Sequence, residues 1–421
     1  MQSSKNKING PINLVRIEGV IDGINKVVYL FMDYHADINE QTNCEDQNNS
    51  INISKYLLDN LTTSNDNNVV YDFFLEILPS EIFTNFNTTI FSILKDNELE
   101  YLASVKKLFL QNVETDNSNN KITSKLKNVR LHYIDIRDKM YLLMYDPIRF
   151  AISSINQLQK NPDDKLLDIM HIIIGRCIEI VVNFMKRIRD VLSHENSNNT
   201  NYSDTNDTDY NDNYKLEKQY YEIDYEKFLL DSDIQEKYTK HIEYMLNKLL
   251  NKYKNKFVKK IIYDNLITNI INDFSDIIID LSNQLDYVKQ LTNKDFANKQ
   301  IIDNMLIFLV KYEKILHSVL ARFVDIYIMR RLLDKKYVTN AVVYTGAYHS
   351  VIYIYLLSKI GFQMTHIVKS MVQSVAVANI VLNDIDDVSY RRNIYNLMYF
   401  FENNPFSQQC IDVSKFPKSF L

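Results

Sequence analysis

Strand-like apolar runs stand near both ends of this chain, and a long middle section with helical spacing separates them. Residues 27–34, 69–76 and 129–138 read as buried strands in the first part, and residues 341–348 read as another near the end. Between Pro147 and Leu333 the apolar residues instead recur three and four apart, in stretches at 166–192, 228–258, 261–291 and 301–333. A sheet assembled from these strands must therefore be built from parts remote in sequence. The expected fold is α/β, a mainly parallel sheet flanked by helices, with a long all-helical insertion. Its boundaries fall at 1–146 for the first half of the core, 147–335 for the insertion and 336–421 for the second half with a C-terminal tail.

Local signals refine this outline. Residues 12–18 and 27–34, joined by a turn through Val20–Gly23, predict a hairpin leading into the first long strand. Residues 53–61 and 90–110 predict helices, and the polar tract 115–124 predicts a loop. The run Ala341–Tyr348 predicts a strand, and 349–359 a helix that Gly361 caps. Residues 362–368 and 372–382 supply edge strands or a last helix, and the tail from Asn403 reads as an extended docking segment. Residues 195–213, rich in Asn, Asp, Ser and Thr, have almost nothing to bury and are expected to be a disordered loop.

Composition excludes several classes. The net charge is -5, with both signs mixed, so no global field favours nucleic acid. Lys248–Lys260, the most basic stretch, reads as the solvated face of an amphipathic helix. Only 6 glycines occur in 421 residues, and no phosphate-cradling glycine loop is present. The amino terminus lacks the apolar core of a signal peptide, and no run suits a membrane span. The expectation is a soluble, cytoplasmic protein, of a host cytoplasm or a virion, since the excess of Asn, Ile, Lys and Tyr suggests an AT-rich genome such as that of a large DNA virus. Cys44, Cys177 and Cys410 are far apart and odd in number, so reduced thiols are expected.

Chemistry concentrates where the strands end. If these strands run parallel, their carboxyl ends bring His35, Glu76, Asp135 with Arg137 and Asp138, and His349 to one edge, where open α/β sheets bind ligands. Two imidazoles and a carboxylate suit a divalent metal such as Zn, Mn, Fe or Co. Asp33 stands ready to ligate or to orient His35, and Arg137 to steady an anion. Taken singly, a histidine at a strand end more often caps the strand or bonds a loop, and the charges at 135–138 also suit an ion-pair cluster. Their coincidence at four strand ends points to a site. His171 and His317 sit in apolar helical runs and read as core residues.

The ordered motifs resemble the superfamily of TraB/TIKI metalloproteases, ChaN-like haem-uptake proteins and erythromycin-esterase-like hydrolases. Gly346-Ala347-Tyr348-His349 is similar to its late GxxH, Glu76 to its glutamate, and Asp135-Ile136-Arg137-Asp138 to a charged strand end of several members; Tyr34-His35 follows Asp33 where that pattern has glycine. The resemblance implies a metal-dependent hydrolase of an ester or amide bond, with His35, Glu76 and His349 as metal ligands and Glu76, Asp135 and Arg137 as catalytic groups. Its substrate would be a small molecule or a peptide. The alternative is a catalytically silent relative, a structural or interaction protein whose helical insertion meets a protein partner. A metal- or haem-binding module without hydrolysis is the remaining reading.

Overall fold

The computed structural model describes residues 6–34, 43–62, 69–78, 101–116, 121–160, 164–194, 225–370, 374–384, 390–397, 409–417 and 420. The chain divides into two compact units, one of residues 1–135, 254–262 and 325–421 and one of residues 136–253 and 263–324. The expected loop at 195–213 and His35 both lie outside the described residues.

The first unit holds the sheets. In chain order its strands are β1 (Lys7–Asn9), β2 (Asn13–Ile21), β3 (Ile24–Asp33), β4 (Ser50–Asn52), β5 (Tyr71–Leu75), β6 (Val113–Asp116), β7 (Lys121–Ser124), β8 (Val129–Tyr133), β9 (Asn340–Gly346), β10 (Gln363–Ile367) and β11 (Cys410–Asp412). Six form the main sheet in the order β10-β2-β3-β9-β5-β8. The expected hairpin is β2–β3, and its turn is made by Asp22 and Gly23, both at positive φ, as a tight two-residue turn requires. β3, β9, β5 and β8 are parallel; β2 pairs antiparallel with β3, and β10 pairs antiparallel with β2. The sheet is thus mixed, with β2 running against the other five strands. The two-residue turn reverses β2 against β3, whereas the helix Ala347–Lys359 carries the chain from β9 over to β10 as a crossover, so β10 runs in the same direction as β9.

Strand alternation sends successive side chains to opposite faces. On one face Tyr29, Phe31, Tyr71, Phe73, Val342 and Tyr344 form a buried cluster with the helices Ile53–Thr62 and Tyr101–Gln111. Phe420 of the tail enters the same cluster, its ring 5.1 Å from that of Tyr29 and 6.0 Å from that of Phe31. Phe420, with Ile411, Val413 and Phe416, is therefore part of the core. The other face carries the helix Ala347–Lys359, which packs on β3 and β9 and is buried almost all round. At its end Gly361, with φ of +100°, permits the left-handed turn into β10.

Two expectations fail in this unit. The polar tract 115–124 is not a plain loop, because β6 and β7 pair as an antiparallel ribbon with Glu114 opposite Thr123. The thiols of Cys44 and Cys410 are not free but joined in a disulfide, leaving Cys177 as the buried free cysteine. Their separation in sequence hid this pairing. The small sheet β11-β1-β4 brings the two segments together with a Cα–Cα distance of 5.0 Å, inside the range a disulfide spans.

The second unit is helical among its described residues. It includes Asp138–Met144, Asp146–Lys160, Asp164–His194, Ser232–Asn251 and Thr268–Gln290, together with the first part of the helix Lys299–Asp334. Arg187 ties two of these helices by bonding both Glu236 and Glu243. The side chain of Asp231 caps Ser232–Asn251 by accepting from the amides of Asp233 and Ile234. Among the described residues no helix is long and apolar enough to cross a membrane.

Candidate active site

β9 ends at Gly346, and the helix Ala347–Lys359 begins at the next residue, so His349 stands in the first turn just beyond the strand. β5 runs alongside β9 and ends at Leu75, which places Glu76 at the same carboxyl edge. The backbone N–H of Gly346 donates to Glu76 Oε2 at 3.2 Å and fixes that carboxylate across the junction. Glu76 Oε1 then lies 3.5 Å from His349 Nε2. The sequence-predicted pair Glu76 and His349 is together.

The third member is Asp325, which was not foreseen. It lies in the helix Lys299–Asp334 and is completely buried, and its Oδ1 is 2.6 Å from His349 Nδ1. The imidazole is thus held between two carboxylates, one on each ring nitrogen. Burial alone disfavours a charged ring, but Asp325 and then Glu76 outweigh it and hold the His349 pKa well above the usual 6.5. The two carboxylates thus favour the charged, imidazolium form of His349. Asp325 Oδ2 is buried and without a hydrogen-bond partner among the described residues. The signal for Asp325 was present in the sequence as a lone carboxylate inside Phe323-Val324-Asp325-Ile326, because a buried charge needs a partner.

The half-buried Tyr348 and Arg391 adjoin this centre. The Tyr348 ring meets His349 edge-on at 5.9 Å, and the Arg391 guanidinium lies 4.6 Å from the centroid of the Tyr348 ring.

The other predicted residues have the following surroundings. Asp33 bonds Tyr344 Oη at 3.0 Å on the face of the aromatic cluster, whereas the helix bearing His349 lies on the opposite face. Alternation along β3 thus sets Asp33 on the face opposite the helix that bears His349. Asp135 is buried beyond β8, its backbone N–H donating to Ile77 O at 3.4 Å, one residue past Glu76. Arg137 precedes the helix Asp138–Met144 of the other unit, and its carbonyl accepts from the amides of Met140 and Tyr141.

The donor set gives a test of the expected metal. Among the described residues no group of three or more His, Cys, Asp or Glu is arranged to hold an ion. Glu76 and His349 also make only two donors, where catalytic zinc centres use three protein ligands. The described residues do not fit a resident metal, and no step below runs through one.

A second buried polar cluster lies nearer the amino ends of the strands. Asp72 on β5, fully buried, accepts from Arg130 Nε and Nη2 at 2.7 and 2.6 Å, and its Oδ1 is 2.7 Å from His132 Nε2. Burial lowers the pKa of His132, and its ring stacks on Phe74 at 4.5 Å. Lys26 donates to the carbonyls of Lys335 and Val338, and burial lowers its pKa to about 8. Every one of these groups is occupied by a neighbour in the sheet or in the segment entering β9, so the cluster fastens strands.

Comparison with known proteins places the chain among viral relatives. It is 98% identical over 237 residues to Uncharacterized protein R130 of Acanthamoeba polyphaga mimivirus, covering 56% of this chain and all of that protein. It is 98% identical over 172 residues to Uncharacterized protein R129 of the same virus, covering 41% of this chain and 97% of that protein. Neither stretch is long enough to contain β9 together with β3 or β5. Uncharacterized protein R706 of that virus is 30% identical over 444 residues, covering 98% of this chain and 96% of that protein. The compositional pointer to a large DNA virus agrees with these relatives. No solved structure matches. A family model matches residues 6–421, and the chain belongs to that family, described as a family of unknown function (DUF5847).

Proposed function

We propose that the carboxyl edge of the sheet is a hydrolase-type acid–base centre acting on an ester or amide bond. The observation that carries this reading is the embrace of one buried imidazolium by Asp325 and Glu76 at the end of β9. Glu76 is the base that takes a proton from an attacking water. The imidazolium of His349 is the acid that gives its Nε2 proton to the departing oxygen or nitrogen. The proton on Glu76 then crosses to Nε2 and restores the starting state. Asp325 holds the ring in orientation and keeps it charged. The resemblance of Glu76 and the Gly346–His349 motif to a hydrolase superfamily supports the same reading.

One observation favours a second reading. Glu76 and His349 are only 6% and 4% exposed, as befits a structural tie between β5, β9 and two helices. On that reading the chain is a catalytically silent relative, a structural or interaction protein of a large DNA virus. Assay of the purified chain against chromogenic esters and anilides decides between them, with metal content measured on the same sample. The hydrolase reading expects turnover that falls at least 100-fold in Glu76→Gln and His349→Gln while the fold persists. Turnover that is absent, or that both variants retain, removes the catalytic reading. Stoichiometric metal lost in His349→Gln would restore the metal-dependent form of it.

A further inference from the structure

Arg391 is the charged group beside the His349 centre for which the acid–base scheme has no use. It lies in the helix Tyr390–Leu397, half-buried, with its guanidinium stacked against two tyrosines. The guanidinium carbon is 4.6 Å from the ring centroid of Tyr348 and 5.6 Å from that of Tyr390, and Nε donates to Tyr390 Oη at 3.0 Å. Stacking on aromatic faces fixes the plane of a guanidinium and leaves its edge donors available. Among the described residues the two terminal nitrogens of Arg391 make no hydrogen bond and no ion pair.

The carboxylates described near it are already engaged. Asp325 lies within electrostatic reach of Arg391, yet its charge is met by His349 at 2.6 Å. Glu76 likewise faces His349 and the Gly346 amide. A cation serving only to balance Asp325 would pair with it. Arg391 instead stands one tyrosine ring away from His349, with its fork set and, among the described residues, no acceptor in it.

We propose that Arg391, held by Tyr348 and Tyr390, is an oxyanion-binding residue that receives a carboxylate or phosphate group of the ligand of the His349 centre. The planar fork matches two oxygens of either group. The proposal deepens the hydrolase reading by naming an anionic substrate class, and it rests on that reading for the identity of the scissile bond alone. Binding of the anion requires no turnover.

The test is calorimetric titration of the full chain with inorganic phosphate and, separately, with acetate, at low ionic strength. Saturable binding of at least one anion by the wild type is expected, weakened at least 10-fold in Arg391→Gln. Arg391→Lys, which keeps the charge but loses the planar fork, is expected to fall between them. Tyr348→Leu, which removes one stacking face and leaves Arg391 in place, is expected to weaken binding as well and serves if Arg391→Gln fails to fold. Absence of saturable binding by the wild type, or equal affinity in the Arg391 and Tyr348 variants, overturns the proposal. Tighter binding of phosphate than acetate points to a phosphorylated ligand, and the reverse to a carboxylate. Anion binding by a protein that hydrolyses nothing would remove the catalytic reading and leave this one standing.

Discussion

Replacing Asp325 by Asn tests the charge state on which the acid–base centre depends. The substitution keeps the shape and an acceptor oxygen for His349 Nδ1, but removes the negative charge now 2.6 Å away. Unit charges about 4 Å apart attract by roughly 4 kcal/mol at an effective dielectric near 20. Removing one partner of a buried pair costs about 3–5 kcal/mol in measured cases. We expect a loss of about 3 kcal/mol where His349 is charged. The pH dependence follows from the sign of the shift: His349 has a higher pKa folded than unfolded. Its contribution is therefore complete below the unfolded value of about 6.5 and fades as pH rises through the elevated folded value. Urea midpoints of the wild type and Asp325→Asn, compared from about pH 5.5 into the alkaline range, should show the largest gap at the acid end. Imidazole nitrogen shifts would report the ring directly. A gap that is constant with pH, or that widens on the alkaline side, refutes the buried imidazolium.

Three further outcomes follow from the packing. Mass analysis after alkylation of the denatured, non-reduced protein should find one modified cysteine, Cys177, and three after reduction; Cys44→Ser should lower stability by about 2–5 kcal/mol, and three alkylated cysteines without reduction would refute the bridge. Gly19→Ala would bring a methyl group within 2.5 Å of the Phe362 ring, so it should cost about 1–3 kcal/mol by thermal unfolding, and the cost should largely vanish in a Phe362→Ala background. Phe420→Ala should cost about 3–5 kcal/mol despite its place one residue from the end, because its ring packs on Tyr29, Phe31, Tyr56 and Tyr71; unchanged urea midpoints would show that the tail does not dock.

The parts of the fold legible in the sequence were those with a local cause. Asp22-Gly23 marks the β2–β3 turn, buried β-branched runs mark β3 and β9, and Gly361 marks a helix end. Glu76 and His349 were legible as a pair because neighbouring parallel strands place their carboxyl ends side by side. What stayed hidden depends on long-range meetings. Asp325 sits mid-helix, where spacing gives no hint of a ligand, and only its isolation among apolar neighbours marks it. Cys44 and Cys410 meet through a three-stranded sheet whose members come from both ends of the chain. The β6–β7 ribbon is made of polar residues, and composition alone reads such segments as loop.

The position of β9 between β3 and β5 governs how this protein comes into being. A ribosome releases β3 and β5 long before β9, so the nascent chain holds two strands whose facing edges have nothing to bond. Unprotected edges invite pairing with other chains. The helices made in the interval can form from nearby contacts, but the sheet must wait. Any truncation upstream of Gly346 therefore yields a product with its keystone missing, and production of this protein should be more sensitive to premature termination than its number of residues suggests.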